Sequence, residues 1–196
     1  MSLPTGDSYR RLRTLTGVIF TVGHGARPID AFLAVLRSAE VAVVVDIRRY
    51  PGSRKHPQFG RDALARALRE HGIGYEWQGE ALGGRRSRRP DSRHPALHSA
   101  SFAGYADHMD TAGFRDAVDA LVARAPEERL AIMCAETYWR NCHRMLVADA
   151  LTVRGATVVH LLDAGRREEH RLHPTMRRGA DGWPVYDVPD TLPGLG

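Results

Sequence analysis

Long apolar runs are missing from this 196-residue chain. No stretch approaches the roughly 20 residues a membrane helix needs. The first residues, MSLPTGDSYRRLRTLTG, lack the apolar segment of a secretory leader. Both absences point to a soluble, cytoplasmic protein with no membrane partner. Cysteine is scarce: Cys134 and Cys142 are the only two. A chain of this size does not need a disulfide to build a core, so the pair reads as thiol, metal-ligand or structural rather than as a staple. Lysine is almost absent. Lys55 stands alone, which makes arginine the other 27 of the 28 basic residues. There is no internal repeat and no linker between domains. Residues 1–16 read as a flexible polar arm, and 17–196 as one domain.

What is present is ordinary for a globular protein: 43% hydrophobic and 26% charged residues, with a net charge of +5. The arginine excess has a bland source in codon usage and a functional one in the planar donor fork that grips phosphate. A basic balance suits nucleic acid or a nucleotide as partner, though +5 is too modest to prove it.

Apolar, β-branched runs at 18–22 (VIFTV), 41–47 (VAVVVDI), 130–134 (LAIMC) and 157–162 (TVVHLL) read as buried strands, with a shorter one at 73–77. Helical spacing follows Pro28, covers 61–71, 102–109 and 112–125, and runs from about Cys142 to Arg154, where Gly155 suits the exit. The alternation predicts a single α/β domain: a mostly parallel sheet with helices on both faces, Rossmann-like. Residues 83–98, with five arginines, are expected to form an exposed, mobile loop, and the tail after Asp163 shows no period.

Ligands of open α/β sheets bind beyond the carboxyl ends of the strands. The polar residues there are His24, Asp46, Arg48 and Arg49, and Cys134 with Glu136. The densest cluster is Met133-Cys134-Ala135-Glu136 followed by Cys142-His143-Arg144, across a strand–loop–helix junction. Glu136, His24, Asp46, Cys142 and His143 are the candidate catalytic side chains; Arg48, Arg54, Arg85, Arg86 and Arg144 are the candidate phosphate contacts. Tyr50, Phe59, Tyr75, Trp77 and Tyr105 offer faces on which bases can stack, or else belong to the core. Each candidate also has a structural reading: small buried hydrophobes for the cysteines, a turn hydrogen bond for His24, an ion pair for Asp46. His160, mid-strand, reads as a satisfied core histidine. The ligand types of Cys134, Cys142, His143 and His24 suit zinc, but their spacing does not match the usual pairs, so no cofactor is expected.

Three readings follow: an enzyme acting on a phosphate-containing, nucleotide or nucleic-acid substrate, for instance a hydrolase of glycosidic or phosphoester bonds; a non-catalytic nucleic-acid-binding module working through the arginine loops; and a metal- or thiol-dependent site on Cys134 and Cys142.

Several motifs, in order, resemble the DUF488 family. They are Thr21-Val22-Gly23-His24, Val45-Asp46-Ile47-Arg48 with Pro51, Ser53 and Arg54, and Gln58-Phe59. Gly72-Ile73 with Tyr75, Leu82-Gly83-Gly84, Phe102 with Tyr105-Ala106, and the two motifs around Cys134 and Cys142 continue it across roughly residues 18–165. The resemblance implies no established reaction. It does imply that His24, Asp46, Arg48, Glu136, Cys142, His143 and Arg144 are the positions of interest. Where the family usually reads Gly-His-Ser, this chain has Gly25, which tells against a mechanism needing a hydroxyl there.

Overall fold

The computed structural model describes residues 17–52 and 55–188. The polar arm at 1–16 and the candidate Arg54 lie outside them. Within them the chain runs β1 (Val18–Gly23), α1 (Ile29–Ser38), β2 (Val43–Asp46), a 3-10 turn (Pro57–Phe59), α2 (Arg61–Glu70), β3 (Gly74–Trp77), α3 (Gly79–Leu82) and α4 (Ala100–Met109). It continues through α5 (Ala112–Arg124), β4 (Leu130–Cys134), a second 3-10 turn (Trp139–Asn141), α6 (Arg144–Val153) and strands β5 (Thr157–Asp163), β6 (Arg166–Glu169), β7 (Met176–Arg178) and β8 (Pro184–Tyr186).

Six strands form one sheet in the order β3-β2-β4-β1-β5-β6, parallel throughout except where β6 turns back antiparallel on β5. The expected α/β architecture is therefore what the chain adopts. Side chains alternate across the pleat. On β4, Leu130, Ile132 and Cys134 face one core with Ala148, Leu151, Phe114 and Leu121, while Ala131 and Met133 face the other with Phe32, Leu36, Leu64 and Leu68. Both faces of the sheet are covered, which is why its central strands carry almost no polar residues. No helix among the described residues is long and apolar enough to cross a membrane.

One expectation needs correction. The tail after Asp163 is not patternless: β6 extends the sheet, and β7 and β8 pair as a hairpin that buries Trp183, Val185 and Tyr186. Strands of three or four residues are too short to show a period. The arginine loop has no helix or strand until Ala100, but it is pinned. His94 and Leu97 are buried, the Ala96 amide donates to the Tyr186 carbonyl, and the Arg89 amide donates to Asp107.

Candidate functional site

At the carboxyl ends of β1, β2 and β4, where the sequence placed the polar residues, a pocket of about 580 Å³ opens. His24, Arg48, Arg49, Tyr50 and His56 come from the β1 and β2 ends; Arg85 from the arginine loop; Ser101 and Tyr105 from α4; Cys134, Glu136, Cys142 and His143 from the segment after β4. The central strands end side by side, so residues more than a hundred positions apart in sequence converge there.

The glycines set how closely these segments approach. A Cβ on Gly23 would lie 1.9 Å from the Glu136 carbonyl oxygen, so only glycine lets β1 end against the Cys134–Glu136 turn. Gly25 adopts φ +56°, and a Cβ there would lie 2.1 Å from Thr137 Oγ1. The space a serine would need at position 25 is filled by the Thr137 hydroxyl. Gly25→Ser is therefore expected to lower stability by at least the roughly 1–2 kcal/mol of a left-handed non-glycine residue. Thr137→Ala in the same chain should recover the steric part. Thermal unfolding of both variants checks this, and equal losses would show that Thr137 is not the obstacle.

Asp46 and Arg48 form the wall. Both Asp46 oxygens are used: Oδ1 accepts from Arg48 N at 3.0 Å and Nε at 2.8 Å, and Oδ2 accepts from Arg48 Nη2 at 2.6 Å and the Tyr75 hydroxyl at 2.8 Å. Arg48 Nη1 donates to the Phe59 carbonyl at 2.8 Å and to His24 Nε2 at 3.3 Å. Asp46 and Arg48 are thus a buried ion pair that shapes the pocket. Both Asp46 oxygens are taken up within the protein, whereas Arg48 lines the pocket and uses one of its two Nη2 hydrogens on Asp46.

His24 stacks on Phe59 with ring centroids 4.2 Å apart and donates from Nδ1 to the Gly25 carbonyl at 2.8 Å. Both ring nitrogens are engaged. Burial, only partly offset by the Gly25 bond, and then the Arg48 charge bring its pKa down to about 4. Burial also lowers His143, His108 and His160. A histidine whose folded pKa lies below its unfolded value of about 6.5 binds its proton more readily unfolded. Stability is therefore expected to be full above about pH 6.5 and to fall as the pH drops toward about 4. Urea midpoints at pH 7 and pH 5 should show the loss, and His160→Gln should reduce the difference between them. Midpoints that rise toward pH 5 would contradict it.

Arg144, one of the largest fully buried side chains, does not line the pocket but lies beneath it. Nη2 donates to the Glu136 carbonyl at 2.6 Å and to that of Thr137 at 3.3 Å; Nη1 donates to Thr21 Oγ1 at 3.3 Å. Among the described residues no carboxylate pairs with it, and its Nε has no partner. A buried guanidinium needs an anion nearby. The candidates are the two sulfurs. Cys142 and Cys134 are both buried, free, and have Sγ atoms 2.7 Å apart. Burial pushes the Cys142 thiol up, but the Cys134 hydrogen bond and the Arg144 charge outweigh it and bring the pKa down to about 7. Cys134 moves the other way, well above the usual thiol range, because it is buried and donates to its neighbour. Arg144, expected to hold phosphate, lies beneath the pocket, where its charge helps to bring the Cys142 thiol down.

His143 places Nδ1 3.5 Å from Cys142 Sγ and packs beside the Tyr105 ring. Among the described residues, Glu136 is the only carboxylate lining the pocket; it is exposed, and its side chain makes no ion pair or hydrogen bond with any of them. Arg49 donates to the Arg85 carbonyl at 2.9 Å, which ties the two arginines of the mouth together, and neither is paired with a carboxylate among the described residues. Arg85 itself has φ +60°. Arg86 turns away, donating to the Gly83 and Glu80 carbonyls. Within the loop, Arg89 is taken up by Asp91, and Arg93 by Asp110 and Asp181. Of that loop's arginines, Arg85 alone lines the pocket, beside Gly84.

Of the aromatic candidates, Tyr50 is 63% exposed at the mouth, whereas Phe59 and Tyr105 are core and Tyr75 and Trp77 brace Asp46 and the Arg48 carbonyl. His160 is fully buried, bonded to Thr21 and His170, as expected. Among the described residues, no three His, Cys, Asp or Glu side chains are arranged to hold a metal ion; a zinc site on Cys134, Cys142, His143 and His24 lacks its geometry. His56, Ser99, Ser101 and Asn141 also line the pocket and carried no motif in the sequence. They come from loops and a helix start that only folding brings to the strand ends.

A family model described as "Domain of unknown function DUF488" matches residues 28–151. No curated protein and no solved structure matches.

Proposed function

The chain belongs to the DUF488 family, and from its own pocket we propose that it is an enzyme acting on a phosphate-containing substrate of the nucleotide or nucleic-acid class. The observation that carries this reading is the pairing of two unpaired mouth arginines, Arg49 and Arg85, with one unpaired carboxylate and one lowered thiol on the same pocket. Arg49 and Arg85 hold the phosphate. Tyr50 lies against the Arg49 guanidinium, 5.5 Å from its ring centroid, and offers a face to a base. Glu136 is the acid–base group, its carboxylate being uncommitted. Cys142 is the nucleophile, with His143 beside it to pass a proton. The reaction class is hydrolysis of a glycosidic or phosphoester bond.

The test is a thermal-shift titration with inorganic phosphate, mononucleotides and short oligonucleotides, followed by a hydrolysis assay on whichever binds. Arg49→Ala and Arg85→Ala should each weaken binding about 10- to 100-fold, the equivalent of about 1.5–3 kcal/mol for a charge-assisted hydrogen bond. Glu136→Gln should keep or strengthen the shift and abolish turnover. Equal shifts in all proteins would remove the pocket as the binding site. Binding of duplex DNA with log K falling about 0.9 per contacted phosphate against log salt, unchanged by Arg49→Ala, would favour a binding module that works through the outer loops instead.

A further inference from the structure

We propose that Cys134 and Cys142 form a peroxide-sensitive dithiol that closes into a disulfide across the floor of the pocket. The two residues are held by different elements, the end of β4 and the turn before α6, and yet their Sγ atoms lie 2.7 Å apart. A disulfide needs about 2.05 Å, so closure requires only a small shift. Both residues line the pocket, which gives a small oxidant its approach to otherwise buried side chains. The chain has no third cysteine to compete for pairing. Two thiols kept only as core hydrophobes would have no need of Arg144, a buried cation with no carboxylate partner among the described residues, which bonds the Glu136 and Thr137 carbonyls of the turn between them and places its backbone amide 3.5 Å from Cys142 Sγ. That cation favours the thiolate, the form that attacks peroxide.

The chemistry balances. The Cys142 thiolate attacks one oxygen of hydrogen peroxide; the O–O bond breaks, hydroxide leaves, and Cys142 becomes a sulfenic acid. The Cys134 sulfur then attacks the Cys142 sulfur. The S–S bond forms, the S–O bond breaks, and the departing hydroxide takes the Cys134 proton as water. Two thiols have given up two electrons and peroxide has become two waters. Cys142 is the first to react and Cys134 the resolving residue. That closure also silences the pocket rests on the reading of Cys142 as nucleophile; disulfide formation itself does not.

The experiment uses the full chain, reduced, treated with hydrogen peroxide in the absence of any nucleotide, then denatured, alkylated and weighed intact. The expected wild-type result is a monomer lighter by about 2 Da that takes up no alkylating agent and is restored by dithiothreitol. Cys134→Ser should stop at the sulfenic acid, heavier by about 16 Da and captured by dimedone. Cys142→Ser should leave Cys134 reduced at the same dose. A wild-type chain that still alkylates at both cysteines, or that links into dimers, would overturn the proposal. So would a Cys142→Ser chain oxidised at Cys134 as fast as wild type. Because no phosphate ligand is used, failure here and failure of the nucleotide titration are separate results.

Discussion

Asp46→Ala is expected to cost about 3–5 kcal/mol of unfolding free energy, the usual penalty for removing one partner of a buried ion pair. Asp46 is fully buried and Arg48 is 7% exposed, so water cannot replace the lost carboxylate. The substitution strips three hydrogen bonds from Arg48 and one from the Tyr75 hydroxyl. It also frees the guanidinium that bonds His24 and the Phe59 carbonyl, which loosens the pocket wall. Urea unfolding at pH 7 measures it. A loss below about 1 kcal/mol would mean that the pair behaves like an exposed one. Replacing both residues, Asp46→Ala with Arg48→Met, should recover much of the loss, because the uncompensated charge is gone. If the double variant is as unstable as Asp46→Ala, the cost lies in lost packing and not in stranded charge.

The second large effect concerns Cys142. Its alkylation rate in the native protein should rise with pH through about 7, against about 8.5 for an unperturbed thiol. Arg144→Met should return the midpoint toward that ordinary value and slow alkylation at pH 7 by about tenfold, in line with the fall in thiolate fraction. The variant leaves the Glu136 and Thr137 carbonyls and Thr21 without a donor. Some stability is lost as well, at about 1–3 kcal/mol for each group left unsatisfied. Circular dichroism should therefore confirm that the variant is folded at the labelling temperature. A wild-type midpoint near 8.5 would remove the thiolate, and with it the reason for burying Arg144.

The two effects divide what was legible in the sequence from what was not. The β-branched runs at 18–22 and 130–134 announced central strands, and their Cα partners stand in parallel register, Ile19 opposite Leu130 through Gly23 opposite Cys134. From that alternation of strand and helix, the α/β class and the place of the site beyond the strand ends follow, because hydrophobic period and turn residues are local properties that the chain carries before it folds. Glu136, Cys142 and His143 were legible for the same reason: they sit at a strand–helix junction in one short segment. The role of each charged group was not. Asp46 and Arg48 satisfy one another two positions apart, Arg144 turns beneath the pocket toward Thr21, 123 residues away, and Arg86, Arg89 and Arg93 are used up by neighbours. Arg49, by contrast, is left open at the mouth. Whether a guanidinium is free for a ligand depends on which acceptors the fold brings within 3 Å of it, and that is decided by pairings between distant segments that no local pattern encodes. The two thiols show the same division: sequence placed them in one motif, and only the tertiary structure put sulfur against sulfur beside a buried cation.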